Sequence, residues 1–296
     1  MTNLIQLIVT GTLVGSIYGL IAMGFVIVYR SGRVFNMAYG QFATVGAFIA
    51  WTLMGSPNAP RLPFAIAILL TLLFSIVFGL FIERILFRRM IGRPLFTTFI
   101  LTLGLWAILN SIVIIVWGPQ TYVYAQTLPR GPLSLGGISV QKEHLWAFLI
   151  ALVAVIGFFF FFRGTKLGLA IRAAYNNQVA ARCLGVSATL NSQVAWVLCS
   201  ILATIGGILI ASIRGVSPQL SDLVMVVLVV VLIGGMDSLV GCIFGGLLLA
   251  IGENLANYYL SSYLPGVGQI FGIVLILFIL IIRPNGLLGS QPVERV

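Results

Sequence analysis

Uncharged apolar stretches of membrane-crossing length recur along almost the whole chain, and no other feature limits its fold as strongly. The first, MTNLIQLIVTGTLVGSIYGLIAMGFVIVYR, carries no charged residue before Arg30. An oily layer about 30 Å thick takes about 20 helical residues to cross, and this apolar stretch runs for about 26. That is too long for a secretion-signal core, and no basic leader precedes it, so it reads as a retained first span. Further runs fall at 34–54, 63–82, 95–117, 145–162, 190–213, 222–235, 240–261 and 267–282, each bounded by charged or Pro/Gly-rich residues. With 60% hydrophobic and 7% charged residues, the composition excludes an ordinary soluble domain. The expected fold is an all-α polytopic membrane protein, one transmembrane domain over 1–296 with about 8–9 transmembrane segments. The 222–235 run is short for a crossing and suits a re-entrant or half-spanning helix.

The net charge of +10 could indicate nucleic acid, but its distribution indicates a membrane. Counting alternately from the first run, the segments on one side are 29–33, 83–94, 163–189, 236–239 and 283–296. They hold Arg30, Arg33, Arg84, Arg88, Arg89, Arg93, Arg163, Lys166, Arg172, Arg182, Arg283 and Arg295, whereas Arg61, Arg130, Lys142 and Arg214 fall on the other side. The positive-inside rule then puts the amino terminus outside and the carboxyl terminus in the cytoplasm, with the lipid bilayer as a partner and no nucleic acid.

Two polar segments interrupt the apolar runs. The external stretch 118–144 holds Pro119, Pro129 and Pro132 with Gly118, Gly131, Gly136 and Gly137, and reads as an exposed loop with short strand-like pieces. The internal stretch 163–189 is helix-compatible from Leu167, with Leu169, Ala173, Ala180 and Leu184 at helical spacing and Gly185 as a stop. Too polar to cross, it should form one or two short amphipathic helices on the cytoplasmic face. An interfacial lipid anchor and a docking surface for a cytoplasmic protein are both compatible with it. The small residues Gly168, Ala170, Ala173 and Ala174, without Trp or Phe, favour docking.

Several chemistries are missing. Cys183, Cys199 and Cys242 form no close pair and His144 is the lone histidine, so neither a metal centre nor a disulfide is expected. Lys142 and Lys166 are the two lysines, and RGTKLG around Lys166 lacks the spaced glycines of a phosphate-binding loop. The chain is therefore not expected to hydrolyse ATP. No nucleophile–base pair suggests a hydrolase.

Two features remain open. The start of the second run, GRVFNMAYGQFATVGAFIAW, puts Arg33, Asn36, Tyr39, Gly40 and Gln41 where an oily span should begin. It is either a broken or late-starting helix lining a cavity, or a polar helix start packed against neighbours. Of the acids Glu83, Glu143, Asp222, Asp237, Glu253 and Glu294, Glu253 alone is read as well inside a span. It is either a helix-packing partner or a pathway residue. Gly11, Gly15 and Gly19, and later Gly241 and Gly245, mark small-residue faces suited to close helix packing.

Taken in order, FNMAYGQFATVGAF, LGLAIRAAYNNQVAARCLGV, VVLIGGMDSLVGCIFGGLLLAIGENL and LIIRPNGLLG resemble the permease subunits of importers for branched-chain and other hydrophobic amino acids driven by ATP-binding cassettes. The resemblance covers about residues 5–290. It implies a bacterial inner-membrane protein working with a homologous second permease, two cytoplasmic ATPase subunits that bind ATP and Mg, and an extracytoplasmic substrate-binding protein. It implies no cofactor in this chain. By the same resemblance 168–186 is the ATPase-coupling region, carried at Gly168, Arg172, Ala173, Ala181 and Gly185, while Tyr175, Asn176, Asn177 and Gln178 lack the acidic residue that relatives often have there. Polar and small residues on apolar spans are the candidates to line the path: Asn36, Tyr39, Gln41, Thr44, Thr98, Thr102, Asn110 and Glu253. No mid-span arginine clamps a carboxylate, so urea, amides or aromatic acids remain alternative cargoes, and an ion-coupled transporter or channel is the rival class.

Overall fold

The computed structural model describes residues 2–55, 62–90, 92–124, 128–129, 131–135, 138–176, 178–263 and 266–289. Arg61, Arg130, Gly136, Gly137, Asn177, Glu294 and Arg295 of the sequence reading lie outside the described residues. Every apolar run becomes a helix: α1 (Thr2–Gly32), α2 (Tyr39–Gly55), α3 (Phe64–Ile85), α4 (Leu95–Trp117), α5 (Lys142–Gly164), α8 (Ala188–Arg214), α9 (Leu223–Gly234), α10 (Leu239–Leu260) and α11 (Val267–Ile282). The polar segment between α5 and α8 forms two helices, α6 (Lys166–Asn176) and α7 (Gln178–Cys183). The 118–144 segment contains the strand-like pieces anticipated for it, an antiparallel hairpin of β1 (Pro132–Leu135) and β2 (Ile138–Gln141).

Among the described residues six helices, α1, α3, α4, α5, α8 and α10, have the length and apolarity to cross a membrane. At 17, 12 and 16 residues, α2, α9 and α11 are shorter. For α2 the reason is local. The chain leaves α1 through Arg33, whose φ is +56°, and does not resume helical geometry until Tyr39. A 3₁₀ turn, Pro218–Asp222, precedes α9.

The chain divides into two compact units, Met1–Val26 with Leu128–Ala151 and Met225–Val296, and Ile27–Thr127 with Leu152–Val224. In the first unit the glycine face of α1 lies against α10. A Cβ on Gly11 would stand 2.7 Å from the Ile251 Cα, and one on Gly15 2.7 Å from the Gly246 carbonyl oxygen. Lipid tails are as apolar as leucine, so such helices gain by close backbone approach rather than by escaping water. Gly245 meets α9 in the same way, at 2.5 Å from the Val230 oxygen. At one end of this unit the Asn3 amide donates to the Tyr258 hydroxyl at 2.9 Å. At the other, the N–H groups of Leu287 and Leu288 donate to the Ile233 and Gly234 carbonyls at 2.8 and 3.1 Å, tying the chain beyond α11 to the end of α9.

In the second unit α2 is the central helix, with twelve of its seventeen residues buried between α3, α4, α8 and the Pro218–Asp222 turn. It crosses α8 at two close points. A Cβ on Gly46 would sit 2.6 Å from Thr204 Oγ1, and one on Gly207 would collide with the Ala43 carbonyl. Phe42 meets Phe78 edge-on at 5.0 Å, and Trp196 stacks on Phe87 at 4.0 Å. Tyr122 and Val216 exchange two backbone hydrogen bonds of 2.8 and 2.7 Å, joining the segment after α4 to the segment after α8.

Candidate functional site

The non-helical stretch before α2 leaves backbone groups that lipid could not satisfy, so the protein must satisfy them itself. Thr102 of α4 does so. Its Oγ1 accepts from the Met37 N–H at 3.2 Å and lies 3.1 and 2.8 Å from the Phe35 and Phe99 carbonyl oxygens, to one of which it donates. A turn further along α2, Gln41 Nε2 donates to Asn110 Oδ1 at 3.1 Å. The hydroxyls of Thr44 and Thr98 donate to carbonyls of their own helical neighbourhood, those of Gly40 and Pro94, at 2.9 and 3.2 Å.

Asn36, Tyr39, Gln41, Thr44 and Thr102 are fully enclosed, and Thr98 nearly so. Of the two readings left open for this segment, the structure combines one half of each. The helix starts late, and its polar start is packed against neighbours. Asn36 stands apart from the rest, because neither atom of its amide has a hydrogen-bond partner among the described residues, although the Cys199 thiol lies beside it. Gln41 Oε1 is unpartnered as well. A buried polar atom left unmatched costs about 1–3 kcal/mol, so these amides are expensive features of an otherwise apolar core.

Seven of the eight path candidates fall in the second unit, and Glu253 of α10 falls in the first. Glu253 is partly buried and faces α11, its Oε1 3.9 Å from where a Cβ on Gly272 would be. The sequence reading missed a second enclosed acid. Glu83, in the last turn of α3, is fully buried, with Oε2 3.5 Å from Arg88 Nη2 and with Ser192 and Gln193 of α8 beside it. Its neighbour Arg84 made it resemble a span boundary. An acid and an arginine five residues apart, joined by a turn, were the available signal.

The polar pair α6–α7 is braced at several points. The N–H of Gly168 donates to Thr165 Oγ1 at 3.1 Å, and any Cβ on Gly168 would strike the Phe162 carbonyl, so glycine permits the tight corner from α5 to α6. The Arg172 guanidinium lies 5.8 Å over the Phe162 ring, and Arg30 lies 4.7 Å over the Tyr175 ring, which fixes the end of α1 to α6. Ala181 is buried and Ala173 half-buried. Gly185, at φ +85°, follows the end of α7, and the Val186 N–H donates back to the Ala181 carbonyl at 2.9 Å. This is the glycine stop expected from the sequence. Outside the spanning helices, Tyr124 is fully buried with its hydroxyl donating to the Ala47 carbonyl at 2.9 Å, and burial pushes its phenol well above the usual tyrosine range.

The family of permease components of branched-chain amino acid transport systems matches residues 7–282. The chain belongs to that family. As such a permease component it is a multi-pass protein of the bacterial inner membrane, and the rival class of ion-coupled transporters or channels is set aside. Its similarity to individual members extends from end to end. It is 27% identical to the high-affinity branched-chain amino acid transport system permease protein BraD of Pseudomonas aeruginosa, covering 99% of this chain and 98% of that protein. The corresponding LivH protein of Escherichia coli is 24% identical, with 99% and 97% covered. A probable branched-chain amino acid transport permease of Methanocaldococcus jannaschii is 24% identical over 91% of this chain and 88% of its own length.

Proposed function

We propose that this permease is one of two homologous permease subunits of an ATP-driven importer that moves branched-chain or other hydrophobic amino acids delivered by an extracytoplasmic binding protein. Two cytoplasmic ATPase subunits supply the energy, binding ATP with Mg, and this chain is not itself an enzyme. Support for the substrate comes from the names of the full-length relatives. In this reading all nine apolar helices contribute to the membrane core, with α9 as a half-length element, the amino terminus outside and the carboxyl terminus inside. The shared ends are consistent with that alternation, since the end of α9 and the chain beyond α11 meet, as do the start of α1 and the end of α10.

The observation that carries the mechanism is the bracing of α6–α7. Gly168, Arg172, Ala173, Ala181 and Gly185 form the coupling element: Gly168 and Arg172 fix it to the end of α5, Arg30 fixes α1 to it, and the chain runs from it directly into α8. Since α8 is packed backbone-to-backbone on α2, a displacement imposed by a nucleotide-driven ATPase at α6–α7 is carried to α2 and its polar start. Asn36, Tyr39, Gln41, Thr44, Thr98, Thr102 and Asn110, with Glu253 in the other unit, are the path candidates. The Asn36 amide and the Gln41 Oε1, unpartnered among the described residues, would gain hydrogen bonds when α2 shifts and admits water or substrate.

The test is reconstitution of the complete importer in liposomes with nucleotide inside, measuring leucine uptake and ATP hydrolysis together. Arg172→Glu or Gly185→Ala should leave hydrolysis running while uptake falls at least tenfold. Uptake by this chain alone without nucleotide, or unchanged coupling in both variants, would overturn the reading.

A further inference from the structure

In the second unit, a cavity of about 260 Å³ opens between the α1–α2 break, the turn after α3 and the first turns of α4 and α8. Ser31, Arg33, Arg93, Thr98, Ser192 and Trp196 are among its lining residues. The volume gives far more room than a single water needs, and enough for a small anion that keeps part of its hydration.

Its charge is one-sided. The two guanidinium groups present planar forks of donors that match two oxygens at once. The first residues of two helices, Leu95 of α4 and Ala188 of α8, also face the cavity. Helix starts carry unsatisfied N–H groups and partial positive charge. Ser187 caps α8 by accepting from the Leu190 N–H, whereas α4 begins after Pro94 with no side-chain cap. Among the described residues no carboxylate lines the cavity. Glu83, which reaches Ser192, is matched by Arg88. The Ser31 hydroxyl is engaged with the Val28 carbonyl, so the donors left to meet a ligand are the guanidinium groups and the start of α4. Against them stand a long contact of Arg33 with the Tyr29 ring, at 5.8 Å, and an apolar wall formed by the stacked Phe87 and Trp196.

We infer that this cavity is a binding site for a phosphate-bearing anion, the headgroup phosphate of an anionic lipid or a free phosphate. Arg33 and Arg93 clamp its oxygens, and the uncapped start of α4 completes the cradle. A basic pocket between spanning helices at headgroup depth is where such a group would be met. The inference needs the membrane setting but is independent of which substrate the permease carries.

The full chain, purified in detergent, can be examined by native mass spectrometry with added dioleoylphosphatidylglycerol or dioleoylphosphatidylcholine, and by thermal unfolding with inorganic phosphate alone. Wild type should retain phosphatidylglycerol over phosphatidylcholine by at least about tenfold. Arg33→Gly with Arg93→Gln should abolish that preference, Arg93→Lys should keep most of it, and Arg163→Gln, outside the cavity, should leave it intact. Arg33→Gly alone guards against misfolding, because glycine accepts the positive φ at that position without strain. If inorganic phosphate stabilises wild type and not the double variant, the ligand chemistry is met by free phosphate. If only phosphatidylglycerol distinguishes them, the source is lipid. Equal retention by wild type and double variant together with no variant-dependent effect of phosphate overturns the proposal. So does a loss as large with Arg163→Gln.

Discussion

Replacing Gly207 by alanine tests whether direct backbone contact joins α8 to α2. The new methyl would strike the Ala43 carbonyl oxygen and stand 2.8 and 2.9 Å from the Ala43 carbonyl carbon and Cα. Carbon pairs settle at about 3.5–4.0 Å, so the helices must part by up to about 1 Å, which forfeits a quarter to a half of each dispersion contact in the seam. No rotamer change relieves this, because both colliding groups are backbone or attached directly to it. Overpacking of this kind costs about 1–3 kcal/mol, and the rigid contact puts Gly207→Ala toward the upper end. Alanine also gains up to about 1 kcal/mol of helix propensity, which obscures the result unless a control carries the same gain. Gly104 in α4 supplies it, since a Cβ there meets nothing within 4 Å. The two variants should differ by about 2–3 kcal/mol, or roughly 5–10 °C of midpoint at about 2–4 °C per kcal/mol for a chain of this order of size. Thermal unfolding of the detergent-solubilised chain, followed by the loss of its monodisperse peak, provides the comparison. A Gly207→Ala midpoint at or above that of Gly104→Ala refutes the close-contact argument.

Asn110→Ala should cost about 1–3 kcal/mol by stranding the buried Gln41 amide, and Asn110→Ala with Gln41→Leu should cost less than the sum of the two single changes, as a double-mutant unfolding cycle will read. Tyr124→Phe should lose about 1 kcal/mol with the bond to Ala47. The same variant has a pH signature. The folded phenol is held above its unfolded value, so its contribution is complete below about pH 10 and fades above it. Alkaline unfolding scans should therefore fall more steeply from about pH 10 in wild type than in Tyr124→Phe.

The helices were legible because their signal is local. An apolar run declares its length without reference to what it packs on, which is why 95–117 corresponds residue for residue to α4. The corner glycines were equally local: Gly185 terminates α7 where its surroundings change from periodic to polar. What the chain does not disclose in one dimension is which residue answers which. Thr102 bonds across 65 residues to the break before α2, and nothing in TFILTLG separates it from Thr98 at the head of the same stretch, whose hydroxyl bonds to its own helix start. Glu83 likewise resembles a boundary residue in sequence, because its burial is made by α8, more than a hundred residues later.

The same limit explains the glycines and ties them to the polar start of α2. Gly104 and Gly207 each sit in an oily helix, yet one faces open space and the other a backbone. In water the burial of apolar surface would select which faces meet, but in lipid every apolar face is nearly equivalent, and the selection passes to close approach and hydrogen bonding. α2 uses both. Gly40 and Gly46 bring it against Ser221 and Thr204, which sets its depth, while Gln41 bonds to Asn110 and the break before it is held by Thr102, which sets its rotation toward α4. With twelve of its seventeen residues buried as well, α2 is tied to α3, α4, α8 and the Pro218–Asp222 turn at once, so these specific contacts fix the position of the helix around which the second unit is built.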